Sequence, residues 1–161
     1  MSRAGRWGLA RAGYGAVLVL APSRVARLYS GRPPDGVATA IVRVLGVRQV
    51  VQGLLSVGDP GPAVLALGAE VDVAHAASMV ALAAADPDRR RGSLVDAAAA
   101  GTMAVITAAL ARRAGAATAL HPVGSGTLPA LAELRETVAS RLAGVLLPGP
   151  LRVLLTGKSP A

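Results

Sequence analysis

The chain has 161 residues, a net charge of +8 carried almost wholly by arginine, no cysteine, and 53% hydrophobic residues. No cysteine means no disulfide, thiol catalysis or cysteine-ligated metal. A mean hydropathy of +0.52 with the apolar residues gathered into long blocks is more than a soluble domain of this size needs, and points to a lipid bilayer.

At about 20 residues per crossing, the length suits a bundle of four spans with short loops. The arginines are scattered at segment ends, as expected of side chains facing anionic lipid headgroups. One tryptophan and two tyrosines leave little to stack on bases, so nucleic acid is not an expected partner.

Arg3, Arg6 and Arg11 surround Trp7, and an apolar run from Ala12 to Ala21 follows. The arrangement is similar to a secretory signal. Pro22 directly after Val19-Leu20-Ala21 opposes cleavage, however, so a retained first span is expected. Its apolar part is short, and Trp7, Tyr14, Arg24, Arg27 and Tyr29 are expected to carry it through the interfaces.

Ser30 to Gly36, with two prolines and two glycines, predicts a turn. The second span is predicted over 37–57. At about 100° per residue, Arg48, Gln49 and Gln52 share a face with Gly46 and Gly53, while Val44, Val47, Val50, Val51, Leu54 and Leu55 cover the other. Small and polar residues opposite valine and leucine describe a helix with protein on one side and lipid on the other. Gly58 to Pro62 is a tight connector, which predicts that the third span, over 63–85, packs beside the second. Asp72, His75, Gly68 and Met79 fall on one face of that span. Arg48, Asp72 and His75 are then all expected near mid-depth.

The expected buried polar cluster is therefore Arg48, Gln49, Gln52, Asp72 and His75. Two roles compete for it: an ion pair that fixes helix register, or a pathway for a proton, ion or small lipophilic molecule. Asp72-x-x-His75 offers two ligands where a catalytic zinc wants three, so no metal site is assigned.

Asp86 to Gly92 predicts a loop whose three arginines anchor the interface. Ser93 and Asp96 then read as a capping box opening a fourth, alanine-rich span over 94–111. Arg112 and Arg113 close it. Arg3, Arg6, Arg11, Arg112 and Arg113 at one end nearly balance Arg24, Arg27, Arg32 and Arg89 to Arg91 at the other, which leaves the orientation open.

Composition changes after Ala114. A linker is predicted over 114–127, with a solvated His121. A helix follows over 128–147, with Leu128, Leu131, Leu134, Val138, Leu142 and Val145 on one side and Glu133, Glu136, Ser140 and Arg141 on the other. The last residues, to 161, form a tail too short to span.

Ala21-Pro-Ser-Arg-Val-Ala-Arg-Leu28, Arg43-Val-Leu-Gly-Val-Arg-Gln-Val-Val-Gln-Gly53 and the acidic, His-containing third span together resemble a group of uncharacterised small actinobacterial four-helix membrane proteins, loosely similar to DoxX-like proteins. The resemblance covers roughly residues 10 to 113. It implies an inner-membrane bundle without assigned chemistry and carries over no catalytic residue.

The expectation is an all-α fold: a four-helix transmembrane bundle over 1–113, the linker, and a C-terminal amphipathic helix. No phosphate-binding loop or nucleophile–base spacing occurs, so neither enzyme activity nor a cofactor is expected. The expected role is a structural or accessory subunit of a larger membrane assembly, with the bilayer and a membrane protein as partners. The alternative is a carrier or sensor built on Arg48, Asp72 and His75.

Overall fold

The computed structural model of the chain describes residues 1–58, 60–118, 136–139 and 141. Among them are five principal helices and no strand: α1 (Arg3–Leu20), α2 (Pro22–Ser30), α3 (Gly36–Leu55), α4 (Pro62–Ala85) and α5 (Arg90–Thr118). The fold is all-α. Of these, α3, α4 and residues 90–116 of α5 are long and apolar enough to cross a membrane. The arginine-bearing α1 is not among them.

Local chemistry sets the helix ends. The Ser2 hydroxyl accepts a hydrogen bond from the Gly5 amide to start α1, and the Asp35 carboxylate accepts one from Ala38 to start α3. Chain direction changes at Ala21, where Pro22 opens α2 at a position that needs no amide donor. Gly31, at φ 75°, closes α2 in the left-handed conformation that glycine adopts without cost. The expected first span is therefore two helices. Its first part begins at Arg3, and this early start moves Arg11 from the flank to mid-helix.

Two further expectations need correction. Helix α5 begins at Arg90, so Ser93 lies inside it and does not cap it, while Arg90 and Arg91 belong to its first turn. Thr118 ends α5, so helix occupies the start of the expected linker. Of the helix expected over 128–147, residues 136–139 and 141 are described and helical; the remainder lies outside the described residues.

The bundle consists of two tight pairs, α1 on α3 and α4 on α5, with α2 laid across α3 and α5 at one end. In the first pair glycines face glycines: a Cβ at Gly8 would sit 2.7 Å from the Gly53 carbonyl oxygen, and one at Gly15 would sit 2.7 Å from that of Gly46. The two helices run antiparallel. Backbones this close leave room for hydrogen only, the geometry in which small-residue helix pairs gain dispersion and Cα–H···O contacts. Alanine does the same work in the second pair, where Ala66, Ala69 and Ala83 of α4 and Ala97, Ala100, Ala104 and Ala111 of α5 are buried.

The expected close packing of α4 beside α3 is not found. These helices meet chiefly through long side chains, because the flat glycine and alanine faces are already used by other partners. From the C-terminal part, the Glu136 carboxylate accepts a hydrogen bond of 2.7 Å from the Ala63 amide, in the first turn of α4. That turn has no side-chain cap from its own N-cap residue, Gly61.

Side-chain polarity is inverted relative to a water-soluble bundle. Large aliphatics point out, with Val44 69%, Leu54 60% and Val105 70% exposed, while the buried apolar residues are mostly alanine. The exposed set on α3 includes Val44, Val47, Val51, Leu54 and Leu55, the face expected to meet lipid.

The glycines give a direct test of the α1–α3 interface. Gly15→Val must force the backbones apart, because its Cβ would lie 2.6 Å from the Val50 amide nitrogen; a loss of about 1–3 kcal/mol in detergent-based unfolding is expected. Gly13→Ala meets nothing within 4 Å and should leave stability unchanged or raise it by up to about 1 kcal/mol. Equal effects at the two positions would contradict the interface.

Candidate functional site

Asp72 is completely buried in α4, and two guanidinium groups reach it. Arg11 of α1 approaches its Oδ1 through Nη2 at 2.6 Å, and Arg48 of α3 approaches the same oxygen through Nη2 at 2.5 Å. Arg11 is itself only 3% exposed. Its burial follows from its neighbours: Gly8, Arg11 and Gly15 lie on one face of α1, and the glycines bring α3 close enough for the guanidinium to be enclosed.

Every nitrogen of that guanidinium donates. Nε donates to Gln49 Oε1 at 2.7 Å, Nη2 also donates to Gln52 Oε1 at 2.8 Å, and Nη1 donates to Thr107 Oγ1 at 3.4 Å. Thr107, on α5, also accepts a hydrogen bond from Trp7 Nε1 at 3.1 Å. Gln52 in turn donates to the Gly68 carbonyl at 3.4 Å. One connected network thus joins α1, α3, α4 and α5, and the planar five-donor fork of arginine is what allows a single side chain to serve so many acceptors.

Four of the five residues singled out from the sequence, Arg48, Gln49, Gln52 and Asp72, lie in this network. His75 does not join it through a hydrogen bond. Its Nε2 is 2.9 Å from Oδ2 of Asp96 on α5, with the two side chains 14% and 17% exposed. Asp96 was expected to cap a helix; the earlier start of α5 frees it for this pairing. Arg11, Thr107 and Trp7 are members of the network that the sequence does not single out, and Asp96 is the partner that it does not give to His75.

No family model, curated protein or solved structure matches this chain. Within the core, Arg11 and Arg48 share Asp72, and His75 pairs with Asp96. Asp72 Oδ2 and Arg48 Nε are buried without a hydrogen-bond partner among the described residues, so the hydrogen bonding is concentrated on one side of the carboxylate. Among the described residues, no group of three His, Cys, Asp or Glu side chains is placed to hold a metal ion.

A second feature lies at the end of the bundle capped by α2. A cavity of about 490 Å³ opens between α3 and α4, with α2 and α5 completing its walls. Ile41, Val42, Leu45, Met79 and Leu82 form its apolar side, and Tyr29, Ser93 and Asp96 contribute polar groups. Leu45 and Met79 are one turn from Arg48 and His75, which places the inner wall next to the ion network.

Removing the carboxylate should show how strongly the network binds the helices together. Asp72→Ala leaves the buried Arg11 and the part-buried Arg48 guanidiniums without their shared acceptor, and a loss of about 3–5 kcal/mol is expected in reversible detergent unfolding. Arg43→Ala, at an exposed position, should change stability by no more than about 0.5 kcal/mol. Comparable losses at both sites would remove the network from its central place.

Proposed function

We propose that the chain is a multi-pass protein of the cell inner membrane that acts as a structural or accessory subunit of a larger membrane assembly. The observation that carries this reading is the inverted polarity: Asp72 and Arg11 are enclosed at 0% and 3% exposure, whereas Val44, Val105 and Leu54 face outward. Water would reverse that sorting, and hydrocarbon favours it.

Three apolar helices supply crossings, and α1 is a fourth. With 18 residues it is about 27 Å long, close to the hydrocarbon thickness of about 30 Å. Its one mid-helix charge is covered by α3, α4 and α5 and never meets lipid. Exposed arginines at the ends, among them Arg3, Arg24, Arg90 and Arg112, suit anionic headgroups. The resemblance carried by Arg43 to Gly53 agrees with such a bundle.

An accessory role follows from how the polar groups are used. Arg11, Gln49, Gln52 and Thr107 spend their hydrogen bonds within the chain, so the network acts as a register lock. What remains for a partner is an outward face of small and aliphatic residues, such as Ala98, Gly101, Thr102 and Val105 on α5. A second reading, a carrier or sensor of a proton, ion or small lipophilic molecule, is favoured by the cavity that ends at Asp96.

Membrane fractionation and native capture test the first reading together. The chain should stay in the pellet after an alkaline carbonate wash and, when captured from gently solubilised membranes, bring a stoichiometric membrane protein with it. Release by carbonate would remove the bilayer, and partner-free monomer from native membranes would remove the assembly.

A further inference from the structure

The cavity beside α2 has a chemical character that the register lock does not account for. Four carboxylates line it, Asp35, Asp86, Asp88 and Asp96, against two guanidiniums, Arg32 and Arg89. At the mouth these charges are largely engaged with one another: Arg89 is 3.3 Å from Asp35 and 3.2 Å from Asp86, and Arg32 is 3.7 Å from Asp88. Asp96 is different. It lies deeper, 17% exposed, with Oδ2 held by His75 while Oδ1 makes no hydrogen bond among the described residues.

Of the charged side chains that line the cavity, four are carboxylates and two are guanidiniums, so its wall carries an excess of negative charge. A monovalent cation reduces that excess. An anionic headgroup or fatty carboxylate would instead add to the excess, at a site where low dielectric magnifies the penalty.

The remaining walls select the body of the ligand. Ile41, Val42, Leu45, Met79 and Leu82 present an apolar surface opposite Asp96, and the Tyr29 ring offers an aromatic group to a cation. A volume of about 490 Å³ is in the range of sites for small organic molecules and far larger than a bare metal ion needs.

We propose that this cavity binds a small lipophilic amine, its ammonium group donating to Asp96 Oδ1 and its hydrocarbon or aryl part lying against the α3 and α4 aliphatics. The methionine at the inner wall adapts to the shape of that apolar part. The proposal rests on the carrier-or-sensor reading of the cavity and is independent of any protein partner.

The full chain in lipid nanodiscs, with empty nanodiscs as the reference, can be titrated with three probes of equal size: 4-phenylbutylamine, 4-phenylbutanol and 4-phenylbutanoate. Saturable binding is expected for the amine, at least tenfold tighter than for the alcohol, with none for the carboxylate. Asp96→Asn should bring the amine down to the affinity of the alcohol while leaving the alcohol unchanged. Met79→Trp, which fills the inner wall and leaves every charge in place, should abolish binding of both.

Helicity and nanodisc insertion of each variant identify any that fail to fold, and the parent's ranking of the three probes stands apart from both substitutions. Binding of amine and carboxylate with equal affinity, or amine binding unaffected by both substitutions, would overturn the proposal. Absence of binding by an inserted, folded parent would also overturn it, and would leave the bilayer assignment standing.

Discussion

One carboxylate oxygen, Oδ1 of Asp72, receives two guanidinium groups that arrive from two different helices. In a medium that cannot solvate charge, each of these three groups would be prohibitive alone, and each is tolerable only where the others are. This requirement fixes α4 against the α1–α3 pair more tightly than any apolar contact between them. A slide of α4 by one turn would carry Asp72 about 5 Å along the axis and out of reach of both arginines. The net stabilisation of such a cluster is small, since desolvation offsets most of the Coulombic gain, but the energy difference between the correct register and a wrong one is large.

Packing within each helix pair follows a different principle. No hydrophobic effect drives one helix onto another in lipid, so close approach has to come from shape. Glycine at positions 8, 15, 46 and 53 gives α1 and α3 flat faces, and alanine does this for α4 and α5. The large aliphatics displaced from these interfaces are turned outward. Small residues thus set the distance within a pair, and charged residues set the register between pairs.

Much of this was legible in the sequence. The helical character of the three apolar stretches, the sorting of α3 into a Gly46–Arg48–Gln49–Gln52–Gly53 face and a valine–leucine face, and the placing of Asp72 opposite Arg48 all follow from helical periodicity and the cost of charge in lipid. Arg11 was missed because an arginine near Arg3, Arg6 and Trp7 reads as interfacial by composition. The signal that could have found it is a spacing: Gly8-x-x-Arg11-x-x-x-Gly15 and Gly46-x-x-Gln49-x-x-x-Gly53 share one pattern, and the buried polar residue sits between the glycines in both. Asp96 was assigned to a cap because Ser93 precedes it at capping distance, and no local rule shows that α5 starts a turn earlier. The partner of His75 was a tertiary question. Two acidic residues, at positions 72 and 96, lay within reach of a helix-wheel argument, and only the packing of α4 on α5 decides between them.

The same division between shape and charge accounts for the cavity. Helices α3 and α4 do not share a flat interface, and long side chains cross the space between them: Gln52 toward Gly68, and Arg48 toward Asp72. Toward the α2 end, Ala38, Ile41, Val42 and Leu45 of α3 face Met79 and Leu82 of α4 across a cavity. A protein that used only alanine and glycine between all its helices would have closed it. Keeping a charge-mediated joint between two tightly packed pairs leaves a void at one end of the joint, and the void opens directly onto the carboxylate of Asp96, whose other oxygen is held by His75.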